Sequence, residues 1–203
     1  MKRRLLYILG GLLALMIAFG GIAWNWISAK RAGPEALGCA PDFALPAATA
    51  AGATTLALKD LGGRPWVADF IFTHCSGPCP LMSAKMAELQ RGLPEAVRLV
   101  TFTVDPDRDT LDVLAEYARR FEADPKRWFF VRADKETLYR IVFEGFKLPL
   151  MEDPSASSGY RVTHSSKLVL VDALGRIRQY FDSSEERLAE KVRGAVLALG
   201  EKP

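Results

Sequence analysis

Beyond residue 40 the chain carries two kinds of apolar pattern. Unbroken apolar runs of a few residues mark buried strands, and apolar positions recurring every three or four residues mark helices with one buried face. Short strands are expected at Phe43–Leu45 and Thr54–Leu58, and Trp66–Phe72, WVADFIF, reads as a buried strand by its length and composition. Pro80–Arg91 follows as a helix stopped near Gly92 and Pro94, then Val97–Val104 as a strand. Thr110–Phe121 is an amphipathic helix with Leu111, Leu114, Ala115 and Ala118 on one face. A strand at Trp128–Val131, a helix at Lys135–Phe143 and a Pro/Ser/Gly loop from Pro149 to Thr163 come next. Lys167–Val171 and Ile177–Phe181 flank the turn Asp172–Arg176 as a hairpin. A last helix is expected from Ser184, as N-cap, to Leu199. Strands interleaved with helices and closed by an antiparallel hairpin predict an α/β sandwich compatible with a thioredoxin-like layout.

The first thirty residues follow neither pattern. From Leu5 to Ile27 there is no charged residue, and as a helix this run reaches about 34 Å, enough to cross the hydrocarbon core of a bilayer. It reads as a retained membrane anchor over residues 1–30, because the apolar region of a cleaved signal peptide is shorter and ends in a small-residue cleavage site. Trp24 and Trp26 suit the membrane interface. Lys2, Arg3 and Arg4 before the run, against Lys30 and Arg31 after it, place the N-terminus in the cytoplasm and the rest on the extracytoplasmic side, where thiols can be oxidised. A linker over 31–41, rich in Gly, Ala and Pro, then leads to a domain over 42–203. Cys39 in Ala-Leu-Gly-Cys superficially resembles a lipoprotein box, but Lys30 and Arg31 separate it from the apolar run.

A chain of 203 residues holds one well-packed domain plus this appendage. The net charge of +3 is mild and its basic residues are interspersed with acidic ones, which argues against nucleic acid as a partner.

The chemistry gathers in FIFTHCSGPCP, where Cys75 and Cys79 lie between the buried strand and the helix after it. A helix beginning near Cys79–Pro80 has unpaired N–H groups and a positive dipole end, which are expected to favour thiolate over thiol. A pair at this spacing serves as a redox dithiol, as part of a metal site, or as two small buried side chains. Redox pairs on such folds usually have two residues between the cysteines; here Ser76, Gly77 and Pro78 make three, with a bend that turns both sulfurs toward one point. His164 stands where the long loop meets a core strand, on the sheet edge to which the cysteine loop belongs. Two thiolates and an imidazole form a soft set suited to Cu(I) and, through the imidazole, to Cu(II). A structural zinc site wants a fourth protein ligand. His74, next to Cys75, points away from it if the segment is extended. Met82 and Met86 continue into Leu89 as a core stripe and are read as packing, not as thioether ligands.

Three motifs in order complete the reading: Phe-Thr-x-Cys-x-x-x-Cys-Pro within 70–80, Thr-Val-Asp-Pro-x-Arg-Asp-Thr at 103–110, and Thr-His-Ser-Ser before a strand ending Val-Asp-x-x-Gly at 163–175. Over about residues 40–200 the chain resembles the Sco/SenC family of membrane-anchored copper metallochaperones. The resemblance implies a thioredoxin-like fold, copper as Cu(I) or Cu(II) held by Cys75, Cys79 and His164, and delivery of copper to the binuclear site in a subunit of cytochrome c oxidase. It also implies an alternative: Cys75 and Cys79 as a thiol–disulfide pair that reduces the cysteines of that subunit or another extracytoplasmic partner, served by a thiol reductant. Asp105 is the aspartate of the Val-Asp-Pro motif and is assigned to an outer shell or to partner docking, with helix capping by it, Asp107 or Asp109 as the structural alternative. Family members often carry Pro directly after the first cysteine and an acidic residue next; Ser76 and Gly77 stand there instead. Peroxide reduction at one cysteine fits less well, since it leaves Cys79 without a task.

Overall fold

The apolar run at Trp66 becomes an inner strand of a mixed sheet in the computed structural model, which describes residues 36–75, 77–152 and 162–200. In chain order the strands are β1 Gly38–Cys39, β2 Ala44–Thr49, β3 Gly52–Ala57, β4 Trp66–Ile71, β5 Arg98–Thr103, β6 Trp128–Val131, β7 Leu150–Glu152, β8 Val162–His164, β9 Lys167–Val171 and β10 Arg176–Asp182. Eight form one sheet in the order β1-β10-β9-β4-β5-β6-β2-β3, while β7 and β8 pair separately. β4, β5 and β6 are parallel, and β9 runs antiparallel to β4. Every residue of β4 is buried because both faces of an inner strand are covered, hence the continuous apolar run in place of alternation. The expected membrane anchor, including the run 5–27, lies outside the described residues.

The helices are α1 Leu58–Leu61, α2 Cys79–Gly92, α3 Leu111–Arg120, α4 Lys135–Tyr139, which continues into a π-helical turn Arg140–Gly145, and α5 Leu188–Ala198. Helix α2 buries Met82, Met86 and Leu89, the core stripe expected from the sequence. On one face of the sheet Phe70 stacks on Phe102 with centroids 5.5 Å apart, and Phe146 meets the edge of Phe70 at 5.3 Å.

Some boundaries depart from the sequence reading: β1 falls within the expected linker 31–41 and pairs with β10, β2 runs on to Thr49, and three further segments differ for local reasons. The helix expected over Lys135–Phe143 changes hydrogen-bond period: the Phe146 N–H reaches the Ile141 carbonyl at 2.9 Å, and the extra residue turns Phe146 into the aromatic cluster. Gly145 permits this, since a Cβ there would stand 2.4 Å from Pro41 Cγ. The last helix starts at Leu188, not Ser184, because Asp182 Oδ1 accepts from the Ser184 N–H at 3.0 Å and its hydroxyl at 2.6 Å, and this local turn competes with helix. The segment read as a loop from Pro149 to Thr163 is paired at its ends, with Leu150 opposite His164; residues 153–161 lie outside the described residues. The hairpin closes as expected, with Asp172 accepting from the Leu174 and Arg176 N–H groups at 2.9 Å each.

Candidate metal centre

Parallel strands end together, so the loops after β4 and β5 lie side by side, joined where the Val104 N–H meets the Ile71 carbonyl at 2.8 Å. The first loop carries the cysteines. The Cys75 N–H bonds the Phe72 carbonyl at 3.3 Å, the Gly77 N–H approaches Cys75 Sγ at 3.4 Å, and Cys79 is the first residue of α2, with Pro78 as N-cap and Pro80 next. Neither cysteine is in a disulfide and both are buried, Cys75 6% exposed and Cys79 fully enclosed. They also hydrogen-bond one another. The strand–loop–helix arrangement thus brings the predicted pair to one point.

The expected lowering of the thiol pKa does not hold for Cys79. Burial pushes its thiol well above the usual cysteine range, and the Cys75 thiol and the Asp69 charge add to this; a backbone hydrogen bond from Phe72 opposes it. Desolvation of a fully enclosed sulfur outweighs the partial charge of a helix end.

Beneath α2 lies a polar cluster in an otherwise apolar interior. Asp69, midway along β4 and wholly buried, accepts from the Thr101 hydroxyl at 2.5 Å, while Thr101 Oγ1 accepts from Trp128 Nε1 at 2.8 Å. Asp69 Oδ2 has no hydrogen-bond partner. Burial raises this carboxyl to about 7, against the lowering effect of Thr101. Ser83 of α2 and Tyr117 of α3 join their hydroxyls at 3.0 Å alongside.

A second buried carboxylate fixes the cysteine loop. Asp109, fully buried, accepts from the Thr73 N–H at 3.1 Å, from the Thr73 hydroxyl at 2.5 Å and from the Thr103 hydroxyl at 2.5 Å. It therefore ties the residues before Cys75 to the end of β5. Arg132, just past β6, fastens the same β5 loop, its Nε and a terminal nitrogen donating to the Pro106 carbonyl at 3.1 and 2.8 Å. Sequence reasoning missed both carboxylates in these roles. Asp69 carried a signal, a charge inside WVADFIF; Asp109 carried none beyond its motif.

Asp105 lies on this edge, half-buried, with its carboxyl 3.8 Å from Arg108 Nε. Burial and the neighbouring Asp109 charge raise it above the usual carboxylate range. Capping of α3 falls to none of the three aspartates: Thr110 is the N-cap, accepting from the Val113 N–H at 3.3 Å. His164 ends β8, and β9 begins at Lys167; since β9 runs against β4, His164 comes to the edge where β4 ends. Its side chain lies outside what is described. Among the described side chains, no group of three or more His, Cys, Asp and Glu converges to hold a metal. His74 sits in a turn, so strand alternation does not direct it away from Cys75.

The family model for SCO1/SenC matches residues 38–197. The chain belongs to the SCO1/SenC family. Among curated relatives, the SCO1 protein homolog of Bacillus subtilis is 30% identical over 134 residues, 64% of this chain and 68% of the relative. A solved structure of BsSco, described as revealing a disulfide switch in a member of the Sco family of cytochrome c oxidase assembly proteins, superposes with a TM-score of 0.70 at 26% identity, covering 83% of this chain and 98% of that one. Arabidopsis thaliana ScoI with copper bound shares the fold, with a TM-score of 0.66 at 22% identity over 80% of this chain and 98% of that one. The SCO1/SenC assignment accords with the mixed α/β, thioredoxin-like architecture and with the order of the three sequence motifs.

Proposed function

We propose that this chain is a copper metallochaperone, held to a membrane by residues 1–30, that delivers copper on the extracytoplasmic side to the binuclear copper site of cytochrome c oxidase during assembly. The observation that carries the reading is the enclosed thiol pair Cys75 and Cys79 at the strand edge toward which β8 leads His164. Two sulfurs and an imidazole nitrogen are the soft donor set copper prefers, and they are too few for a closed structural zinc site. Copper is the cargo: Cys75, Cys79 and His164 hold it, each thiol giving its proton to solvent as the metal binds, and a partner's ligands take it by exchange. Burial of the sulfurs keeps water from the bound ion. Asp105, at the rim, is the docking or outer-shell residue in this reading.

The reading is tested on the full chain in detergent. The reduced protein should bind one copper, and the protein with Cys75 and Cys79 joined as a disulfide should bind none after dialysis. Full retention by the oxidised form overturns the assignment.

The contact between the two thiols supports a second reading, thiol–disulfide exchange with a partner's cysteines. Here Cys75 attacks the partner disulfide, and Cys79 displaces the partner thiol from the mixed disulfide, so that the partner is reduced and this chain oxidised. His164 separates the two. In the chaperone, His164→Ala weakens Cu(II) binding strongly and Cu(I) binding less, and leaves the rate of exchange with a small disulfide nearly unchanged; a slowed exchange with an intact Cu(II) spectrum favours the oxidoreductase.

A further inference from the structure

Both proposed sulfur ligands are enclosed, whereas the residue before them in the chain is not: the His74 side chain is 59% exposed. Its ring is held by a hydrogen-bonded relay. His74 Nδ1 lies 3.0 Å from Thr73 Oγ1, and that hydroxyl donates to Asp109 Oδ1 at 2.5 Å. Thr73 has one hydroxyl proton, and Asp109 takes it. The Thr73 oxygen can then only accept from the ring, so the proton of the neutral imidazole resides on Nδ1. Asp109 does not reverse this direction, because it accepts simultaneously from the Thr73 N–H and the Thr103 hydroxyl, and the Thr103 oxygen is itself occupied as acceptor for the Asp105 N–H at 3.1 Å. The tautomer assigned by this network leaves Nε2 with a free lone pair on an exposed ring beside Cys75. A carboxylate that fixes one imidazole nitrogen so that the other can bind is the usual support of a metal-ligating histidine.

We propose that His74 is the entry ligand for copper: Nε2 captures the ion at the surface before Cys75 and Cys79 enclose it. The inference rests on the copper reading above and adds a fourth donor that is used only in passage. Capture replaces one water on Cu(II) by Nε2, with no proton or electron transferred. As the sulfurs then bind, each thiol proton passes to solvent and Nε2 leaves the metal. The enclosed sulfurs cannot meet a hydrated ion first without the loop opening, whereas the ring meets it as it stands. Release to a partner follows the same path backwards. Thr73 and Asp109 are positioning residues in this step, acting through the ring.

The test uses the reduced full chain in detergent, without oxygen, mixed in stopped flow with Cu(II) supplied as its sulfate, so that water and no nitrogen surrounds the ion at the start. Growth of the thiolate-to-copper absorption gives the uptake rate, and samples frozen in the first milliseconds are examined by electron paramagnetic resonance. The wild type should show an early nitrogen-coordinated Cu(II) signal that gives way to the thiolate-bound one. His74→Ala should lose the early signal and take up copper about tenfold more slowly. Thr73→Val, which keeps the ring but removes the relay, should fall between the two. An unchanged rate in His74→Ala, or survival of the early signal, overturns the entry role. A final Cu(II) spectrum altered as much as that of His164→Ala makes His74 a resting ligand and overturns it too. Absence of copper uptake by the wild type instead overturns the copper reading itself, and this inference with it.

Discussion

Two fully buried aspartates stand near the cysteine loop, and they are satisfied very differently. Asp109 accepts from three donors, one backbone and two hydroxyl. Asp69 accepts from one side-chain donor and leaves Oδ2 without a partner. Burial is the same for both, so the donors decide what each carboxyl does. Three donors make Asp109 a clamp that joins the cysteine loop to β5. With one, Asp69 is driven by desolvation toward its protonated form near neutral pH, raised to about 7. The first carboxyl fixes where Cys75 sits, and the second, when ionised, adds a small repulsion to that of burial against the Cys79 thiolate.

The largest expected effect comes from breaking the clamp. Asp109→Ala leaves the Thr73 N–H and two hydroxyls without an acceptor and should destabilise the fold by about 3–5 kcal/mol, read from denaturant midpoints. A loss below about 1 kcal/mol means the three bonds do not hold the loop.

Next comes the pH dependence of Asp69. It binds its proton more tightly folded than unfolded, so between pH 3.8 and about 7 the folded state carries more protons. Its stabilising contribution is complete below the lower value and is lost as pH rises through the upper one. Asp69→Asn keeps the neutral shape without the charge and should stabilise the protein by about 2–4 kcal/mol at pH 8, with little change at pH 4. Equal effects at both pH values would show that shape, not charge, is what the site senses.

The smallest effect tests the lone donor. Thr101→Val removes the hydrogen bond that lowers Asp69 and frees Trp128 Nε1, at a cost of about 1–2 kcal/mol. It should also move the pH midpoint of the stability curve upward. A downward move contradicts the role given to Thr101.

The sequence by itself determined the strands and helices that position the site, because apolar period and length are local properties of the chain. Trp128–Val131 and Lys167–Val171 occur with the bounds their apolar runs predict, and Met82 and Met86 are buried as their stripe requires. Cys75 and Cys79 were legible for the same reason: four residues at a strand–helix junction can only bring two sulfurs to one place. Asp109 was not, since its partners Thr73 and Thr103 lie 36 and 6 residues away in the chain and meet it only when β4 and β5 pair in parallel. The acidity of Cys79 also escaped, because a dipole argument reads the helix start and not the layers that close over it. At Ser184 a side-chain hydrogen bond to Asp182, and before Phe146 a π-helical turn, overrode helical periodicity. Pattern fixes what each segment is; enclosure and long-range pairing decide the charge and the orientation of what it carries.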